Sequence, residues 1–326
     1  MPGPGALIDP MTAFLLALAA ALAMGFAIQR GGTCMVAAVD QLISKKSATK
    51  LLVLLECSLW TSGLGLGAIS LGLHFAASPG YTLGLTTFLG GLLLGLGASI
   101  NGACVFGSVA RIGSRDWNYL LALPGFFLGS LAHHHVIGAA SSAAQSMSAG
   151  VWTEPLFVLL AGSLAYGATR AWRGRRTSGP LFDYRLATIS IGFAFVVLAV
   201  MSGPWTYTEV FSRVAHGGAA PSIFEAALLG ALLAGAVIGG WNGARGGGFR
   251  VTRALQCLVG GMLMGAGSSL IPGGNDNLIL VGLPSFQSHA WLAILSMVMA
   301  IVIWLKVGEF WRNLAAAREP GRANSA

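Results

Sequence analysis

Lysine and arginine residues in this chain are bunched into short clusters that separate long apolar stretches. Of the nineteen basic residues, seventeen fall in five clusters, and only Arg30 and Arg213 lie outside them. This distribution constrains the fold strongly, because the cytoplasmic loops of multi-pass membrane proteins collect Lys and Arg. The clusters are Lys45, Lys46 and Lys50; Arg111 and Arg115; Arg170, Arg173, Arg175, Arg176 and Arg185; Arg245, Arg250 and Arg253; and Lys306, Arg312, Arg318 and Arg322.

The composition supports a chain that folds in a lipid bilayer. Charged residues make up 9% of it and hydrophobic residues 55%, whereas soluble domains carry about 25% charged residues. We therefore predict an all-α integral membrane protein. A net charge of +8 suits nucleic acid binding in a soluble protein, but here the basic loops are expected to face anionic lipid. No nucleic acid partner is expected.

Stretches of about 20 mostly apolar residues are long enough to cross a membrane, and the chain has roughly nine of them. If the N-terminus lies outside, nine crossings place the C-terminus in the cytoplasm and all five basic clusters on that side. We therefore predict a multi-pass protein of the inner (plasma) membrane. The spans are predicted near residues 11–29, 51–75, 84–103, 118–139, 154–172, 186–203, 223–243, 253–271 and 288–306.

Three further stretches, 30–43, 101–112 and 272–285, are too short to cross and mix glycine with polar residues. Irregular backbone at membrane depth survives only when it is buried in protein or lines an aqueous cavity. We predict that these stretches form short re-entrant helix-loop elements.

The sequence also contains an internal repeat. Residues 90–104 (GGLLLGLGASINGAC) align without gaps on residues 260–274 (GGMLMGAGSSLIPGG). The copies lie in the third and the eighth predicted spans, which are five crossings apart in order, so the pseudo-repeats, roughly 11–172 and 186–306, are expected to be inverted, as in many transporters. The alternative is that the glycine spacing only lets helices pack closely.

Two of the four cysteines have the most informative positions. Cys34 and Cys104 each follow a glycine-containing break in an apolar helix. A cysteine in an apolar helix is usually a small inert hydrophobic residue, and Cys57 and Cys257 are interpreted in that way. The shared placement of Cys34 and Cys104 favours a functional site.

Polar residues also gather at the breaks. Arg30, at the end of the first span, could extend its charge to the membrane surface or draw an anion inward. The Asn-rich stretch after Gly273 and Gly274 could form a turn or line a pathway with its amides. The candidate pathway residues are Gln29, Arg30, Cys34, Asn101, Cys104, Gly273, Gly274, Asn275, Asp276 and Asn277.

No motif in the sequence predicts a metal, a cofactor or an ATPase. His133, His134 and His135 are adjacent, and adjacent residues on a helix point in different directions and cannot all bind one ion. Packed or interfacial histidines are the expected interpretation.

The runs 25–42 (GFAIQRGGTCMVAAVDQL), 90–107 (GGLLLGLGASINGACVFG) and 270–284 (LIPGGNDNLILVGLP) resemble the YeeE/YedE family of membrane proteins, which import thiosulfate. The resemblance implies a helical fold that narrows where short helix-loop elements meet. It also implies that cysteines at these narrow points pass thiosulfate along by weak S–H···S contacts. Cys34 and Cys104 match two of the family's cysteines.

The third family cysteine is replaced. Family members commonly have Gly-Gly-Cys at the last break, whereas this chain has Asn275 after Gly273 and Gly274. The resemblance further implies a cytoplasmic sulfur-carrier partner of the TusA type.

From these observations we predict a single transmembrane transport domain, residues 1–326, that imports thiosulfate or a similar small sulfur-containing anion and is not an enzyme. Neutral thiols suit conduction, because a site must bind its ion weakly enough to release it. Three alternatives remain open: a pore for another small anion or a neutral solute, a membrane-bound sulfurtransferase with a persulfidated cysteine, and a subunit of a larger complex.

Overall fold

Helices dominate the computed structural model, which describes residues 9–73, 75, 80–138, 144–145, 184–243, 246–271 and 273–318. Two two-residue strands, β1 (Gly80–Tyr81) and β2 (Ala144–Gln145), pair antiparallel. The helices are α1 (Pro10–Gly31), α2 (Met35–Ser44), α3 (Thr49–Ser70), α4 (Leu85–Asn101), α5 (Val105–Gly113), α6 (Ala122–Ile137), α7 (Tyr184–Ser202), α8 (Tyr207–Ala215), α9 (Ile223–Gly239), α10 (Val251–Leu270), α11 (Asn275–Asn277, continued as a π-helix over Leu278–Gly282) and α12 (Ser288–Arg318).

Local sequence explains where several helices begin and end. Pro10 occupies the first turn of α1, where its missing N–H costs nothing. Ser222 and Glu225 form a capping box at the start of α9, which satisfies backbone N–H groups that have no partner inside the helix. At the other end of α1, Gly32 adopts a left-handed conformation with φ of 54°, which stops the helix at low steric cost.

The predicted membrane spans agree with the helices where the structure describes the chain. Eight of the nine coincide with α1, α3, α4, α6, α7, α9, α10 and α12, and the ninth, 154–172, lies outside the described residues. Four segments are long and apolar enough to cross a bilayer, or six if two bent helix pairs each count as one span. The part of the chain that is described therefore supports an all-α, multi-pass membrane protein, and the count of nine stays a prediction.

The re-entrant elements differ in part from the prediction. The first two stretches form short helices, α2 and α5, and each continues its preceding helix as one apolar segment, Pro10–Ser44 and Leu85–Gly113. These two are better described as broken helices than as segments that turn back. The third, α11, is bent by 55° from α10.

Glycines of the predicted repeat lie where α4 and α10 pack against each other. A Cβ atom at Gly90 would come within 2.8 Å of the Gly267 carbonyl oxygen, and one at Gly267 within 2.6 Å of the Gly90 carbonyl oxygen. Gly97 and Gly260 face each other in the same reciprocal manner, at 2.6 and 2.7 Å. Because the order of contacts is reversed along the two helices, α4 and α10 are antiparallel, and these reciprocal contacts support the proposal of an inverted repeat.

Candidate functional site

Four long helices of the described chain each end in a short break that is followed by a short helix. The breaks join α1 to α2, α4 to α5, α7 to α8, and α10 to α11. Each contains a glycine with positive φ, at Gly32, Gly102, Gly203 and Gly273, a conformation that L-residues with a side chain adopt only at a cost. The glycines that drew attention in the sequence therefore stop helices at comparable places.

Hydrogen bonds join the N-terminal ends of the four short helices. The backbone N–H of Met35 in α2 donates to Cys104 Sγ at 3.1 Å, and the N–H of Val105 in α5 donates to Asn275 Oδ1 at 3.1 Å. The Tyr207 hydroxyl of α8 donates to the Val105 carbonyl at 3.1 Å. Residues that are 69 to 170 positions apart in the chain thus meet at one place. We name this place, formed by the five residues of these hydrogen bonds and the side chains in contact with them, the central junction.

The two cysteines selected from the sequence lie together in this central junction. Cys104 is fully buried, Cys34 is partly exposed, and both are free thiols. The N–H of Met35, which follows Cys34 in the chain, donates to Cys104 Sγ, so the two thiol side chains lie close enough to interact. Gly107 leaves room for this pair, because a Cβ atom there would come within 2.5 Å of Cys34 Sγ. Two unlinked thiols therefore lie beside the N-termini of α2 and α5.

Asn275 and Asp276 bring polar groups to the same place. Asn275 is fully buried, and its Nδ2 has no hydrogen-bond partner among the described residues. Asp276 Oδ1 accepts hydrogen bonds from Thr208 Oγ1 at 2.5 Å and from the Asn277 N–H at 2.9 Å. Asn277 Nδ2 in turn donates to Glu209 Oε2 at 3.2 Å. The Asn-rich stretch is thus part of the central junction and is more than an isolated turn.

Other predicted residues form hydrogen bonds or close contacts within the breaks. Asn101 Nδ2 donates to the Ala103 carbonyl at 2.7 Å and to Ser108 Oγ at 2.8 Å. Arg253 Nη2 donates to the Asn101 carbonyl at 2.5 Å, which places a cation at the C-terminus of α4, where the helix dipole favours positive charge. Gly274 allows close contact with α8, because a Cβ there would lie 2.7 Å from Thr208 Oγ1.

Two predicted pathway residues lie apart from the thiols. Gln29 Nε2 donates to Ser114 Oγ at 3.0 Å, at the far end of α5. Arg30 is exposed, and its guanidinium lies 5.7 Å from the centre of the Phe26 ring. Neither residue takes part in the described hydrogen bonds of the central junction.

The break between α7 and α8 was missed in the sequence analysis, although it brings four residues to the central junction. Trp205, Thr206 and Tyr207 line a small cavity together with Asp276, and Thr208 binds Asp276 directly. The dipeptide Gly203-Pro204 after an apolar run is a breaker signal that could have revealed it.

The remaining cysteines and the histidines lie in other surroundings. Cys57 and Cys257 are both buried, and Cys257 belongs to a small apolar cluster with Ala103 against which Cys34 packs. The His134 ring lies 5.2 Å from that of His216. In the ranges that the structure covers, no group of three or more His, Cys, Asp and Glu side chains is arranged to hold a metal ion.

Broken apolar helices whose interrupted ends meet at a buried polar junction are the arrangement by which membrane transport proteins build substrate sites. The structure thus defines a multi-pass membrane protein with such a junction. The family model described as Sulphur transport matches residues 30–303. The chain therefore belongs to the YeeE/YedE sulphur transport family, and this supports a role in transport of sulfur compounds. No curated protein matches the chain.

Proposed function

We propose that this protein imports thiosulfate or a similar small sulfur-containing anion through the central junction. The observation that carries the proposal is the pair of neighbouring free thiols, Cys34 and Cys104, beside the N-termini of two helices. Helix N-termini present N–H groups and a partial positive charge to anions. The thiols add weak donors without a fixed countercharge.

Weak, neutral contacts suit the passage of a doubly charged anion. A buried lysine or arginine would hold a dianion strongly, whereas conduction requires binding that also permits release. Among the described residues, none of the hydrogen bonds of Cys34, Cys104 and Asn275 involves a basic side chain. The proposed pathway therefore attracts the anion by dipoles and hydrogen-bond donors.

Asn275 takes the role that the family gives to a third cysteine. Its unpaired Nδ2 is an amide donor that can bind an oxygen of the anion or, more weakly, its sulfur. Its Oδ1 already accepts from the Val105 N–H, so the free NH₂ group is the one left for the substrate.

Passage requires the central junction to open. Cys104 and Asn275 are fully buried, and the cavity beside them is small and mostly apolar. A ligand that binds the open form better shifts the population toward it. We propose that the short helices α2, α5, α8 and α11 move apart at their glycine breaks to admit the anion.

The remaining features of the proposal rest on the charge pattern and the repeat in the sequence and, for the sulfur carrier, on the family resemblance alone. The protein lies in the inner (plasma) membrane with its N-terminus outside and its C-terminus in the cytoplasm, and a TusA-type sulfur carrier receives the imported sulfur. Residues 1–326 form one transport domain of two inverted pseudo-repeats.

Purified protein in liposomes tests the proposed function. Radiolabelled thiosulfate should enter faster than into empty liposomes, and excess unlabelled thiosulfate should slow this uptake more than the same excess of sulfate, which lacks a terminal sulfur. Equal competition by sulfate would favour a pore for another anion. No uptake by the protein alone, together with an added sulfur atom on Cys34 or Cys104 in the mass spectrum, would favour a sulfurtransferase.

A further inference from the structure

Asp276 is a buried carboxyl group, and only one of its two oxygen atoms accepts hydrogen bonds. Its exposed fraction is 2%, and Oδ1 accepts two hydrogen bonds, from Thr208 Oγ1 and from the Asn277 N–H. Oδ2 has no partner among the residues described. Because a buried ionised carboxylate is costly unless it is paired, this half-satisfied group is suited to carry a proton on Oδ2.

The titratable side chains that face Asp276 are acidic, weakly acidic or neutral. Glu209 and Tyr207 of α8 are two of them. The third is Cys104, the residue before α5, which interacts with Tyr207. The cavity wall from α1, α5 and α9 is apolar, with Met24, Ile28, Phe106 and Leu232. Within the described ranges no Lys, Arg or His side chain bonds to Asp276.

His216 and Arg213 both interact with Glu209, and Arg213 is also paired with a second carboxylate. Its Nη2 donates to Glu225 Oε1 at 2.7 Å. An ionised Asp276 would therefore stand without a direct countercharge beside a pathway for anions.

Two unpaired donors accompany the unpaired oxygen of Asp276. Trp205 Nε1 and Asn275 Nδ2 are both buried and have no partner in the described part of the chain, and Trp205 lines the same cavity as Asp276. A protonated Asp276 would add an O–H group to these two N–H donors. N–H and O–H donors suit the oxygen atoms of an anion, whereas an ionised Asp276 would repel it.

We propose that Asp276 couples transport to protons, taking a proton on Oδ2 from the water on the side where the anion enters and releasing it to the water on the other side. This inference rests on the proposed function, because it supplies the driving force for anion import. No covalent bond changes, and the proton moves in the same direction as the anion.

A proton fits this position better than a metal cation. Hard cations are held by several oxygen ligands, but Oδ1 of Asp276 already accepts two donors, and the neighbouring unpaired groups on Trp205 and Asn275 are donors as well. Such a site offers a cation a single free carboxylate oxygen.

Accumulation of radiolabelled thiosulfate in liposomes tests the inference, with the membrane potential held at zero by equal potassium and valinomycin. With the outside one pH unit more acidic, the wild type should accumulate thiosulfate up to roughly tenfold, the ratio of the proton concentrations for one proton per anion. Asp276→Asn keeps an acceptor for Thr208 and stays neutral, so whatever thiosulfate uptake it retains should not respond to the gradient. Asp40→Asn, the same change at an exposed position on α2, should respond like the wild type.

A wild-type readout makes the test independent of how well the variant folds. In weakly buffered medium, a dye outside the liposomes should show that adding thiosulfate makes the external solution more alkaline. Absence of this alkalinisation during measurable uptake would overturn the inference and leave the proposed function intact. A sodium gradient that replaces the proton gradient, an unchanged response in Asp276→Asn, or a response lost only in Glu209→Gln would also overturn it. Absence of any thiosulfate uptake would instead contradict the proposed function.

Discussion

Variants of Asn275 test whether this residue stabilises the protein, takes part in transport, or does both. Its Oδ1 accepts the Val105 N–H at 3.1 Å, while its Nδ2 is unpaired among the described residues. Asn275→Asp keeps the acceptor and the shape but replaces the free donor with a negative charge. Asn275→Leu removes both groups, and Asn275→Cys restores the residue that the family commonly has there.

The two roles predict effects on two different quantities, the stability of the protein and the rate of uptake. Asn275→Leu leaves the buried Val105 N–H without its acceptor, which destabilises the protein by about 1–3 kcal/mol. Asn275→Asp keeps that acceptor but buries a second carboxyl group beside Asp276, which is costly, and the Val105 N–H and the helix N-terminus offset only part of this cost. Against a dianion about 5 Å away, at an effective dielectric constant of about 20, the new charge is repulsive by about 7 kcal/mol. A fifth of that energy already slows passage roughly tenfold.

The assay combines thermal unfolding of the purified variants with thiosulfate uptake into liposomes. Asn275→Asp should unfold below the wild-type temperature and lose uptake, Asn275→Leu should lose both stability and uptake, and Asn275→Cys should retain uptake. A folded Asn275→Asp or Asn275→Leu protein that transports as fast as the wild type would refute the assignment of the amide to the pathway.

Two further predictions test the packing and the topology. Gly97→Val should lower the melting temperature, because its Cβ would lie 2.6 Å from the Gly260 carbonyl oxygen and overpacking costs about 1–3 kcal/mol. Gly67→Val, whose Cβ would meet nothing within 4 Å, should be better tolerated. Equal effects of the two substitutions would contradict the close α4–α10 packing. Reporter fusions after Gly150 and after Arg176 should give opposite signals for sidedness, and identical signals would contradict the nine-span topology.

Hydropathy and glycine placement predicted much of the fold. Apolar length located the helices, and the breaks after Arg30 and Asn101 were visible because glycine and polar residues interrupt apolar runs. The break at Gly203 was missed, because it follows a complete predicted span, 186–203, and no element is predicted between that span and the next one at 223. Its tyrosine and threonines nevertheless reach the central junction.

The contacts within the site could not be derived from the sequence. Cys34 and Cys104 were selected by their similar local settings, and their closeness in space depends on how two distant breaks pack. Gln29 and Arg30 illustrate the opposite outcome, since they are close to Cys34 in sequence but the helix turn directs them to Ser114 and Phe26. Proximity along a chain does not determine which side chains meet across a bundle.

The most direct measurement of the central claim is thiosulfate uptake by single cysteine variants of equal expression and melting temperature. Cys34→Ala and Cys104→Ala should each reduce the initial rate by roughly tenfold or more, as expected when a transition-state contact of about 1.4 kcal/mol is lost. Cys57→Ala, which removes a buried thiol from α3, should transport like the wild type. Equal uptake by all three variants would contradict a pathway through the thiol pair.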